Sequence, residues 1–450
     1  MRVTIIGAGG FRTPLTYRAL LAARERLGVS EVVLHDSDPA RMATVEAVLA
    51  GIDAEAGAAL PRRVAVDLDE AVRGAGFVLC AIRVGGLEGR IVDEAVPLAH
   101  GVLGQETVGP GGIAFALRTL GPMRGIAEAV ARHAPDAWLV NFTNPAGMIT
   151  EALMPVLGER IVGICDSPDH LAREAAAAIG APPAELAVDY AGLNHLGWVV
   201  GASRAGRDLL PGLLADDERV ARLPAAGLFG VHRLRELGAV PNEYLVYFEH
   251  ADRAVAGFRR DGATRGQALA EAQDAFYAAA PAPGREAARA WRRAAHARNR
   301  SYMREARASE TEEPLEDEDE QPAGGYEAAA LAVMEALAGA EARVLILNVR
   351  NGRALPFLDR DAVVEVPAVV GTGGARPLAA GQLPPAARDL VVRVKEVERL
   401  TIRAASEGSR ALALEAIAHH PLVPSTAVAE RILADYLAHE PALAAVLRRG

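Results

Sequence analysis

The sequence predicts an α/β fold: a doubly wound parallel sheet at the N-terminus, followed by a larger C-terminal α+β unit. Three observations predict it. Short β-branched runs alternate with helical segments over the first 165 residues, the pattern of successive βαβ units. The first run, Arg2–Ile6, leads straight into a glycine-rich turn. The 450 residues exceed one ordinary core, so two domains are expected, divided as 1–165 and 166–450.

Taken in order, the strand Arg2–Ile6 is followed by Gly7, Ala8, Gly9, Gly10, Phe11, Arg12, Thr13 and Pro14. Thr13 reads as a helix cap and Pro14 as a first helical residue, with the helix running to about Arg26. Strand, glycine loop and helix N-terminus form the Rossmann-like arrangement that receives a dinucleotide pyrophosphate. Arg12 stands where a third glycine is usual. A second strand, Glu31–Leu34, ends at His35 and Asp36. An acidic side chain there accepts hydrogen bonds from a ribose diol and favours NAD over NADP.

A helix over 40–56 stops at Gly57. Strands follow at 63–66 and 77–82, then a long helix over 113–133 with breakers near Gly121 and Pro122. Further strands at 137–141 and 161–164 complete the alternation. Gly7, Asp36, Arg83, Asn141 and Cys165 all fall at carboxyl ends of these strands, where ligands of such sheets gather. Two charged glycine-rich stretches, Arg83–Arg90 followed by Asp93 and Glu94, and Gly104–Gly112, read as loops beside that crest, and their density of charge there points to a substrate role over plain turns.

The stretch VDYAGLNHLGW, Val188–Trp198, places Asn194 and His195 as a polar island in an apolar run. Cys165 follows a short buried strand. A thiolate and an imidazole are competent ligands for a transition metal, although a buried core cysteine and a satisfied core histidine fit the spacing too. Beyond residue 166, helices are expected over 171–179, over 209–237 with interruptions, and from Thr264 to about Arg300. Tyr247 and Phe248 read as core. The acidic run Glu310–Glu320 reads as a solvated loop. A helix from Tyr326 leads to strands at 344–348 and 362–370, and helices close the chain over 390–419 and 425–448.

The net charge of −10 argues against nucleic acid or an anionic membrane as partner. Two cysteines make no disulfide framework, the first residues, MRVTIIGAGG, read as a strand and glycine loop rather than as a signal-peptide pattern, and no apolar run reaches membrane length. A cytoplasmic protein is expected.

The segments GAGGFRTP, IRVGGLEGR, GQETVGPGG, NFTNP, GICDSP, YAGLNHLGW, PNEYL and DAVVEVPAVVG together resemble glycoside hydrolase family 4. These NAD-dependent glycosidases depart from two-carboxylate chemistry. The phospho-glucosidase branch is the nearer likeness. The resemblance implies a 6-phospho-glucoside as substrate, NAD and a divalent metal (manganese) as cofactors, and a homodimer or homotetramer. It implies hydride removal from C3 of the sugar, proton removal from C2, loss of the C1 substituent, addition of water and reversal.

By the same resemblance Cys165 and His195 match the metal ligands and Tyr244 the C2 base. Glu106 matches a position that assists the tyrosine. Arg90 and Asn144 match sugar contacts, and Arg265 a phosphate contact. Asp166 stands where β-specific members usually carry Asn and matches the leaving-group acid of α-specific members. The segment Asn351–Leu358 looks more like the β-specific members, so a 6-phospho-β-glucosidase is favoured over the α form.

Two other readings use the same residues. A lactate- or malate-type dehydrogenase would employ His195 as acid and base and form NADH, but the unit after residue 165 is large for it. An NAD-binding sensor without turnover would not require Tyr244, Cys165 and His195 together.

Overall fold

The computed structural model describes residues 1–279, 281–299, 325–339 and 341–448. The acidic run at 310–320 lies outside them. Six strands form the parallel half of the sheet: β1 (Arg2–Ile6), β2 (Glu31–His35), β3 (Arg62–Val64), β4 (Phe77–Cys80), β5 (Trp138–Asn141) and β6 (Ile161–Gly163). Their spatial order is 3-2-1-4-5-6, each neighbour parallel. This is the doubly wound dinucleotide-binding order, with its crevice at the carboxyl ends of β1 and β4. The central strands are almost wholly buried, as continuous Val, Ile and Leu runs require when helices cover both faces.

The chain beyond residue 165 extends the same sheet. Its strands are β7 (Ala187–Leu193), β8 (Leu196–Arg204), β9 (Arg207–Asp208), β10 (Val240–Pro241), β11 (Arg343–Arg350), β12 (Val363–Gly371) and β13 (Gly374–Pro377). β11 joins β6 antiparallel through Asn348 opposite Gly163, and β12, β7, β8 and β10 follow outward. A continuous ladder therefore crosses position 165 and brings both halves of the chain to one crest.

Several local expectations are corrected. Thr13 is the first helical residue rather than the cap; Arg12 holds the cap position with no side-chain cap bond. The helix stops at Ala22, and a short turn, Arg24–Leu27, carries it to left-handed Gly28. Half of each glycine-rich stretch is helical: Gly86–Ala99 starts after left-handed Gly85, and Gly109–His133 passes Pro122 unbroken. Dense burial along that second helix outweighs the lost proline hydrogen bond. The helix expected from Thr264 to Arg300 is two, Arg265–Ala279 and Arg285–Asn299. Pro281 and Pro283 lie between them and lack the amide donor a continuous helix needs. Among the described residues, no helix is long and apolar enough to cross a membrane.

Candidate functional site

One cavity of about 900 Å³ lies over the crest of the parallel half. At one end is the glycine loop. Gly7 has φ +84°, and a Cβ there would lie 2.3 Å from the Ala81 carbonyl oxygen, so only glycine lets β1 turn beside β4. A Cβ on Gly10 would meet the Gly7 carbonyl oxygen at 2.9 Å. Asp36 closes the loop from β2, its carboxylate accepting from the Gly9 amide at 2.7 Å and the Asp38 amide at 2.9 Å. Gly7, Gly9, Gly10, Phe11, Arg12, Thr13 and Asp36 all line this end.

Phe11 is also a core residue, with its ring edge-on to Phe276 at 5.7 Å. A cradle that tolerates no Cβ, opening onto a helix N-terminus with an acid on the next strand, fits a dinucleotide. Arg12 turns toward the middle of the cavity. Its Nη1 lies 3.7 Å from Asp166 Oδ2, and its guanidinium stands 4.8 Å over the Tyr326 ring.

The middle of the cavity is a charge cluster. Glu106, on the loop before the helix Gly109–His133, pairs with Arg83 and, at 2.9 Å, with Arg90 Nη1. Burial would raise the Glu106 carboxyl, but the charges of Arg83, Arg90 and Arg265 prevail and hold it down to about 2. Arg90 and Glu94 form an i,i+4 pair on the helix Gly86–Ala99 at 2.7 Å. Arg265 opens the helix Arg265–Ala279 and lines the same cavity, as does Asn144. Behind them Arg118 holds Asp93 by two bonds of 2.6 and 2.7 Å and supports the Val84 carbonyl oxygen at 3.4 Å.

His195 occupies the two-residue turn between β7 and β8 at φ +60°. Its ring stacks on Tyr244 with centroids 3.8 Å apart and planes 5° from parallel. Nδ1 hydrogen-bonds the Thr107 hydroxyl at 3.0 Å, while Nε2 is buried with no partner among the described residues. Burial, opposed by Glu106, lowers the imidazole to about 4, so the ring is neutral at ordinary pH. A neutral imidazole with an orphaned buried nitrogen fits a metal ligand.

Cys165 is buried just past β6, its sulfur 3.8 Å from Asp166 Oδ1 and 3.9 Å from the Tyr326 hydroxyl. Burial first, then Glu365 and Asp166, push the thiol well above its ordinary range, and a bound cation would reverse that. Asp166 and Tyr244 line the cavity, and the buried Cys165 and His195 adjoin these two, Cys165 in sequence and His195 through its ring stack. Among the described residues no three or more His, Cys, Asp and Glu side chains cluster to hold an ion. A metal at Cys165 and His195 therefore needs further ligands from water or substrate.

The sequence gives Glu94 only a place in a charged stretch read as facing substrate, and gives Tyr326, Glu243 and Glu365 no individual role. Glu365 of β12 accepts from Asn348 at 2.8 Å and from Asn194 and Tyr190 at 3.2 Å, joining the His195 turn to β11. Glu243 accepts from Ser167 at 2.6 Å within the cavity. The Arg90–Glu94 spacing is a readable helical pair; the Glu365 contacts span distant segments and leave no local signal.

The model of the family 4 glycosyl hydrolases matches residues 2–180, and that of the family 4 glycosyl hydrolase C-terminal domain matches residues 190–423. The chain is 29% identical to the maltose-6'-phosphate glucosidase of Bacillus subtilis, over 96% of this chain and 94% of that one. It is similar to the structure of the 6-phospho-beta-glucosidase from Thermotoga maritima with NAD and glucose-6-phosphate (TM-score 0.82, 27% identity, 97% of each chain). It is similar too to a 6-phospho-alpha-glucosidase from gut microorganisms in complex with NAD and Mn2+ (TM-score 0.80, 26% identity, 98% of each chain).

Proposed function

The chain belongs to the family 4 glycosyl hydrolases, and from that premise we propose that it hydrolyses 6-phospho-glucosides, with NAD and a divalent metal, by oxidation at C3 and elimination across C1 and C2. The carrying observation is the convergence of Arg83, Arg90 and Arg265 on one cavity with the glycine loop and Tyr244. Arginine forks suit a phosphate, and the loop suits a dinucleotide. The relatives with NAD, Mn2+ and glucose-6-phosphate support the same assignment of ligands.

The bound groups supply a reversible hydride acceptor and a Lewis acid. Cys165 and His195 Nε2 would hold the metal, and Gly7, Gly9, Gly10, Thr13 and Asp36 the dinucleotide. Arg265 binds the 6-phosphate, and Arg90 and Asn144 orient the sugar. With C3 a ketone, the Tyr244 phenolate oxygen, its own proton first released to solvent with nearby positive charge favouring the anion, takes the acidified C2 proton, and the C1 substituent leaves. Glu106 assists through the arginines that surround it. Water then adds at C1 and the steps reverse.

The proposal takes the β-linked substrate as preferred. Asp166, the residue that would protonate an α-linked leaving group, is engaged by Arg12. The α reading is supported by Asp166 lining the cavity and by relatives named for maltose-6'-phosphate and 6-phospho-α-glucosides at 27–29% identity. The reading includes a homodimer or homotetramer acting in the cytoplasm, where its two free thiols stay reduced. The test is a screen of α- and β-linked nitrophenyl glucosides, each with and without a 6-phosphate, in NAD plus manganese. Turnover of the phosphorylated β form without net NADH is expected. NADH accumulation with a hydroxy acid, and no glycoside cleavage, would overturn the reading.

A further inference from the structure

Glu94 is 2% exposed, and both of its oxygens are committed. Oε1 accepts from Arg90 Nε at 2.7 Å, and Oε2 accepts from the Gly266 amide, also at 2.7 Å. Gly266 follows Arg265 in the first turn of its helix, so this bond satisfies one of the open amides at that helix start and suits its dipole. The approach is tight. A Cβ on Gly266 would lie 2.9 Å from Glu94 Oε2 and 3.2 Å from Arg90 Cγ, and a Cβ on Gly104 would strike the Glu94 carbonyl oxygen at 1.9 Å. One residue therefore touches the helix that carries Arg90, the helix that begins at Arg265 and the loop that carries Glu106.

We propose that Glu94 is a positioning residue of the substrate-anion site, fixing the separation of Arg90 and Arg265 so that a sugar phosphate, rather than a plain sugar, matches it. This rests on the phospho-glucosidase reading. Each Glu94 oxygen already has a protein donor, Arg90 Nε and the Gly266 amide, and it is through these two that the residue sets the positions of the arginines. Charge alone predicts the opposite effect from geometry. Taking a carboxylate out of a cationic site should strengthen binding of an anion, whereas loss of the spacer weakens it.

The experiment measures calorimetric binding of glucose 6-phosphate and of glucose to the full chain loaded with NAD and manganese, and NAD affinity separately. Glu94→Gln keeps the shape but puts an amide donor against Arg90 or Gly266. Gly266→Ala opens the same contact with the charge retained, and carries the test if the first variant fails to fold. Weakening of glucose 6-phosphate binding by about tenfold or more in both variants, with NAD affinity unchanged, is expected, on the scale of a buried unsatisfied donor. Equal or tighter binding in the Gln variant would overturn the proposal, as would equal losses of phosphate and NAD binding, the mark of a merely structural role. A wild-type chain that binds glucose as well as glucose 6-phosphate would defeat the phospho-glucosidase reading itself, and is told apart because it needs no variant.

Discussion

Replacing Tyr244 by Phe separates a base from a packed ring. The Tyr244 ring is half-buried and stacks on His195 at 3.8 Å. Phenylalanine keeps that stack, so the stability change should stay within about 1 kcal/mol. The neighbouring backbone is also preserved, because the residue's amide is held by Asn242 Oδ1 at 3.0 Å, independent of the hydroxyl. The substitution removes the hydroxyl oxygen of a residue that lines the cavity. If that oxygen removes the C2 proton, turnover should fall by about 10²–10⁴, or roughly 3–5 kcal/mol of barrier. Three measurements on one sample isolate the step: melting temperature, solvent deuterium incorporation at C2 by NMR, and the absorbance of reduced nicotinamide on the bound cofactor. The expected outcome is an unchanged melt, no C2 exchange and persisting C3 oxidation. C2 exchange at near wild-type rate would refute the assignment.

Other perturbations follow from the same geometry. Arg265→Ala should weaken binding of a 6-phospho-glucoside by about 2–5 kcal/mol, the scale for a buried charged pair, and leave the plain glucoside little affected; the ratio of their KM values checks it. Removing NAD completely, or stripping metal with a chelator, should abolish hydrolysis, and strong oxidation should do the same through Cys165; full activity after both removals would contradict the metal and cofactor assignments. Acid should loosen the arginine cluster. The Glu106 carboxyl is held down to about 2 against an ordinary 4.5. Its contribution, on the order of 3 kcal/mol, is therefore present above pH ~4.5 and lost as pH falls toward about 2. Denaturant melts at pH 5 and pH 3 should show that loss in the wild type and a smaller one in Glu106→Gln.

What the sequence by itself determined is local and periodic. The six parallel strands, their glycine turn and the acid after the second strand follow from β-branched runs, a strand–glycine–helix order and residue spacing, all carried by neighbours in the chain. It also placed Gly7, Asp36, Asn141 and Cys165 at strand ends, because the period of the pattern fixes where a strand stops. It misplaced the helix starts at Gly86 and Gly109, where glycine density imitates a loop, and the continuity through Pro122, which is kept by a helix whose buried residues continue on one face past it at Met123, Ile126 and Ala127. Only the tertiary structure decided that the C-terminal strands continue the same sheet, that Arg12 reaches Asp166 rather than resting in the glycine loop, and that Glu94 joins Arg90 to a helix start 172 residues away. Each of these depends on a side chain meeting a partner brought near by packing. No residue type or spacing encodes such a meeting until the chain has closed the long loops between its halves.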